Sequence, residues 1–64
     1  MNKDTQVEII YPSNFWWKHT MSDIGYAEGM TEEELNAKIA DFLNNDEFET
    51  WFIPESNELK IYPE

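Results

Sequence analysis

Residues 30–44 leave this chain little freedom in what it can become. Thr31 stands where a helix N-cap is needed, and Glu34 follows at the spacing of a capping box. Met30 before the cap and Leu35 four residues after it are placed for a hydrophobic staple. Glu32, Glu33 and Glu34 occupy the first turn, where the helix dipole favours negative charge. Leu35, Ile39, Phe42 and Leu43 recur at i, i+4, i+7 and i+8, the apolar stripe of an amphipathic helix. Asn44, Asn45 and Asp46 close it, since asparagine tolerates the left-handed conformation of a C-terminal cap. A helix with one apolar stripe needs a surface to cover, and the rest of the chain reads as strands.

Residues 5–11 are rich in β-branched and aromatic side chains and predict a strand with Val7, Ile9 and Tyr11 on one face, after a frayed end over residues 1–5. Pro12, Ser13 and Asn14 make a turn. Residues 15–20 return as the second strand, with Phe15, Trp17 and His19 on one face and Trp16 and Lys18 on the other. Residues 21–29 read as a loop, with a short strand around 24–27 as the one element in it. Residues 47–53 predict a strand in which Glu47 and Glu49 oppose Phe48 and Thr50. Trp51, Phe52 and Ile53 then run together, which predicts either cover on both faces or a bulge that shifts the phase. A turn over 54–57 leads to a last strand over 58–62, which Pro63 stops. The two hairpins share a Pro, then Ser-Asn, which is read as common turn chemistry. The expected fold is therefore α+β: a small antiparallel sheet of three to four strands with one amphipathic helix on one face, in ββαββ order, with residues 1–64 forming a single domain.

A chain of 64 residues has a thin stability margin, and with no cysteine it has no disulfide to widen it. Ten aromatic side chains supply the burial instead. An apolar content of 41% argues against a disordered acidic tail. No secretory signal and no membrane span is legible, so a cytoplasmic location is expected.

Fourteen acids against four lysines give a net charge of −10. The whole imbalance falls within residues 23–58, where Lys38 is the lone basic residue. Such a field repels nucleic acid and anionic membrane and attracts basic surfaces. Direct nucleic-acid binding is not expected, since stacking platforms sit in positive grooves. No enzyme is expected either. His19 is the single histidine and is read as a partly buried sheet residue, and neither Ser13 nor Ser56 has the context of a nucleophile elbow. The acid clusters lack the spacing of a calcium loop, so no metal site and no cofactor is expected.

The candidate binding residues are the acids that helix capping does not explain, with one aromatic anchor. Glu33 and Asp41 lie on the outer side of the helix; Asp46, Glu47 and Glu49 follow it; Glu55 and Glu58 sit in and after the last turn. On a strand, alternate residues face one way at about 6.6–6.8 Å, so Glu47 and Glu49 imitate successive phosphates. Trp16, pointing off the main face, supplies the anchor. In size, charge, lack of cysteine and compactness the chain resembles the small acidic inhibitors of bacteriophages and mobile elements. That resemblance implies a nucleic-acid mimic that occludes the basic groove of a host protein such as a CRISPR effector (an anti-CRISPR role), a restriction enzyme, a DNA glycosylase or RNA polymerase. The alternative is an assembly module acting through an exposed aromatic patch, with a homodimer as one form.

Overall fold

The computed structural model describes Met1–Glu64. Two hairpins flank two helices: β1 (Gln6–Ile10) and β2 (Trp16–Thr20), α1 (Met21–Ile24) and α2 (Glu32–Leu43), then β3 (Phe48–Ile53) and β4 (Glu58–Pro63). The four strands form one sheet in the order β2-β1-β4-β3. The chain is thus α+β as expected, but the sheet is mixed rather than purely antiparallel. The two hairpins are antiparallel, whereas the central pair β1–β4 is parallel. The reason is chain path. A helix that crosses the sheet once returns the chain to the end where β2 began, so β3 runs the same way as β2. Each tight hairpin reverses direction once, so the inner strands β1 and β4 end up parallel.

Both hairpin turns use the same device. Tyr11 C=O accepts from the Asn14 N–H at 3.1 Å, and Pro54 C=O accepts from the Asn57 N–H at 3.3 Å. Asn14 and Asn57 both sit in the left-handed region, at φ 63° and 52°. Asparagine tolerates this conformation, and proline nearby fixes the approach.

The helix-facing side of the sheet holds the core. Val7, Ile9, Leu59 and Ile61 from the two central strands join Met21, Ile24 and Ile39 in one buried cluster. Helix α2 is capped as the spacing predicts. The Thr31 hydroxyl accepts from the Glu34 N–H at 3.2 Å and donates to the Glu34 carboxylate at 3.1 Å. Asn44 ends the helix at φ 53°. Replacing Thr31 by alanine is expected to cost about 1 kcal/mol, read as a lower urea midpoint; an unchanged midpoint would show that water replaces the cap without loss.

The helix lies diagonally. Leu35 and Asn36 lie beside Thr50, Phe52 and Leu59, whereas Phe42 near its end packs edge-on against His19 of β2. Ile39 alone on α2 is fully buried, Leu35 and Leu43 pack at the margins, and Phe42 remains 40% exposed. Phe42 thus departs from the expected core stripe. It closes a row of rings, Tyr11, Phe15, Trp17 and His19, along the β2 edge.

Four local expectations are corrected. Residues 24–27 form no strand; Met21–Ile24 is a single helical turn, with the Asp23 carboxylate accepting from the Thr20 N–H at 3.0 Å and Gly25 at φ 95° ending it. Its Met21 is fully buried, a core residue that the loop reading missed. Residues 1–5 are not frayed: the chain turns there, and Thr5 is fully buried. The Trp51–Ile53 run neither bulges nor lies between two covers. β3 pairs with β4 in unbroken register from Phe48↔Pro63 to Ile53↔Glu58, and Trp51 stands 64% exposed. Pro63 is itself the last residue of β4 and is buried.

Candidate functional site

The register decides what lies on the uncovered face of the sheet. Residues paired across a ladder point the same way, and alternate residues point oppositely. Because Val7, Ile9, Leu59 and Ile61 face the helices, their neighbours face outward. Three rows follow, each running from β2 through β1 and β4 to β3. The first is Trp16, Ile10, Tyr62, Glu49; the second Lys18, Glu8, Lys60, Trp51; the third Thr20, Gln6, Glu58, Ile53.

This open face is nearly neutral. Glu8, Glu49 and Glu58 stand against Lys18 and Lys60. Glu8 and Lys60 approach to 4.0 Å, and the Lys18 ammonium lies 5.2 Å from the Trp16 ring centroid. Trp16 is 55% exposed. Two tryptophans therefore flank the face on opposite edge strands, with Ile10 and Tyr62 half-buried between them. Two open tryptophans with apolar groups between them form a patch that is unusual for a surface that meets only water.

The helical layer on the other side is different. From Met21 to Asp46 the chain carries seven acids, from Asp23 to Asp46, against Lys38, a net of −6. Glu33 and Asp41 are exposed on the outer side of α2, about 12 Å apart along its axis at 1.5 Å per residue. Asp46 is exposed in the loop that follows.

The eight candidate residues do not form one surface. Glu33, Asp41 and Asp46 belong to the helical layer. Trp16, Glu49 and Glu58 lie on the open face, with Trp16 and Glu49 on opposite edge strands. Glu47 precedes β3, where its C=O accepts from the Glu64 N–H at 2.9 Å, and Glu55 lies in the turn at the far end of the same strand. Glu47 lies just outside the strand that holds Glu49, and the helix acids stand behind the sheet from Glu49. Lys18 was placed beside Trp16 by alternation, but Trp51, Tyr62 and Lys60 were not anticipated as its neighbours. Simple alternation from Glu49 would have placed Trp51 outward.

Two grooves flank α2. One, of ≈ 360 Å³, is lined by Met1, Tyr26, Met30, Leu35 and Phe52 among others; a shallower one of ≈ 290 Å³ lies between Tyr11, Trp17, His19 and Phe42. His19 thus sits among rings. No three His, Asp or Glu side chains converge as metal ligands. No helix is long and apolar enough to cross a membrane. The fold and surfaces define a small mixed-sheet α+β protein with an acidic helical layer on one side and a nearly neutral sheet face carrying Trp16 and Trp51 on the other. No protein-family model, no curated protein and no solved structure matches the chain.

Proposed function

We propose that this chain is a small acidic binding protein that mimics nucleic acid and occludes a basic groove of a nucleic-acid-handling protein in a host cytoplasm, as phage and mobile-element inhibitors do. The observation that carries this reading is the helical layer, whose acids stand against Lys38 alone. The mimic surface narrows to that layer, with Glu33, Asp41 and Asp46 as its contact residues; Glu49 and Glu58 fall outside it. Carboxylates on a rigid helix gain steered association with a basic groove, and the affinity falls as salt screens them.

Competition tests the reading. The chain is expected to displace duplex DNA from a CRISPR effector, a restriction enzyme, a glycosylase or RNA polymerase, and to lose potency as salt rises. Reversing Glu33 and Asp41 to lysine together is expected to weaken binding by about a hundredfold, or roughly 2.8 kcal/mol. Displacement that ignores both salt and charge reversal would sink the proposal.

A second reading has its own support. Trp16 and Trp51, 55% and 64% exposed, favour an assembly module whose contact is the open face of the sheet. Burying such rings at the centre of an interface is a common source of binding energy.

A further inference from the structure

We propose that the open face of the sheet pairs with the same face of a second copy of this chain, about a two-fold axis parallel to the strands. The inference rests on the second reading above and names its partner. The argument is charge pattern. Take the middle row, Lys18, Glu8, Lys60, Trp51, read from β2 to β3. A two-fold axis running between β1 and β4 lays β1 over β4 of the second copy and β2 over its β3. Glu8 then meets Lys60 of the second copy, and Lys18 meets the ring of its Trp51. In the row above, Ile10 meets Tyr62, and the Trp16 N–H is offered the Glu49 carboxylate. In the row below, the Gln6 amide meets Glu58. Every contact occurs twice, as a two-fold interface requires.

The other in-plane axis, perpendicular to the strands, fails this test. It stacks Lys18 on Lys18, Glu8 on Glu8 and Lys60 on Lys60, so that every charge in the row faces its like directly across the interface. Like charges facing each other in an interface cost several kcal/mol. The pattern therefore selects one geometry, and that geometry keeps the strands aligned, as face-to-face sheets prefer. Cation–π contact between Lys18 and Trp51 adds to it.

The net charge of −10 does not oppose this pairing. Stacked sheets lie about 10 Å apart, and each helical layer stands a further 10 Å or so outward, so the acidic layers are separated by about 30 Å, several times the Debye length of ~8 Å at physiological salt. Pairing through the helices would bring those layers together. The face spans roughly 19 by 17–20 Å, from two strands of five residues and two of six. That is small for a permanent dimer, so exchange at micromolar concentration is expected.

Sedimentation equilibrium with charge-reversed chains tests the proposal. The wild-type chain is expected to approach twice its 7.7 kDa mass at high micromolar concentration. E8K alone and K60E alone are each expected to lose the dimer, with the dissociation constant rising by more than about a hundredfold, while far-ultraviolet circular dichroism shows each still folded. An equimolar mixture of the two is expected to restore it, because the all-basic and all-acidic pairs then face each other. Trp51→Ser is expected to weaken the wild-type dimer without touching that charge pair. A wild-type monomer, a dimer indifferent to E8K and K60E, or a mixture that stays monomeric overturns the pairing. Fluorotryptophan resonances separate this failure from that of the second reading. A monomer whose Trp16 and Trp51 signals shift when host extract is added loses the self-pairing but keeps a partner on this face; one whose signals do not shift loses both.

Discussion

Replacing Ile39 by alanine is expected to destabilise the protein by about 3 kcal/mol, within the 2–5 kcal/mol range for buried aliphatic truncation. Ile39 is the single fully buried residue of α2, and it joins the helix to Val7, Ile9, Leu59 and Ile61. Alanine's better helix propensity returns only a few tenths of a kcal/mol, ~0.4. A chain of this length has a total stability of roughly 3–10 kcal/mol, so the substitution removes a third of it at best and all of it at worst. Urea unfolding followed at the tryptophans gives the number. The comparison is Phe42→Ala, one turn on and 40% exposed, which is expected to cost clearly less. Equal losses at the two positions would mean that the helix does not rest on the sheet through Ile39.

Thr5→Val is expected to cost about 2 kcal/mol, although the two side chains have the same shape. Thr5 is fully buried and joins three segments. Its hydroxyl donates to Asn57 Oδ1 at 2.8 Å and accepts from the Asn2 N–H at 2.8 Å. Its backbone C=O accepts from the Met21 N–H at 3.0 Å, at the start of α1. Asn57 in turn accepts from the Gln6 N–H at 3.0 Å while holding the second hairpin turn in the left-handed region. Valine would leave Asn57 Oδ1 and the Asn2 N–H without a partner, and an unmade bond in a half-buried site costs more than a made one contributes. Thr5→Ser keeps the hydroxyl and is expected to lose about half as much, through the missing methyl group alone, ~1 kcal/mol. If serine proves as damaging as valine, the methyl packing rather than the hydrogen-bond hub holds this corner.

The local devices were legible because their physics is local. The Thr31 cap, the Asn44 terminus and the two Asn-bearing turns depend on backbone groups within a few residues of one another. So does alternation along a strand, which put Val7 and Ile9 on one face of β1 and Lys18 and Trp16 together on one face of β2. The errors fell where distant segments decide. Thr5 looked like a frayed end because its partners, Met21 and Asn57, lie far along the chain. Residues 21–24 looked like a loop because one helical turn is too short to show a period. The Trp51–Ile53 run read as either covered on both faces or bulged, because three apolar residues in a row cannot say which faces are occupied.

The acids make the same point for function. Their crowding into residues 23–58 is a fact of composition, and a strongly negative, cysteine-free chain with one helix and two hairpins follows from order and spacing alone. Which acids stand together does not. That depends on the helix crossing the sheet once, which sets β1 and β4 parallel and puts Glu33 and Asp41 on one side and Glu49 and Glu58 on the other. The same crossing leaves Trp16 and Trp51, 35 residues apart in the chain, on a common face. Sequence determined the four strands and the long helix, because caps, turns and periodicity act over a few residues. Tertiary structure alone divided the surface into an acidic helical layer and a nearly neutral sheet face bearing Trp16 and Trp51, because only the packing of the helix on the central strands determines which side of every strand meets water.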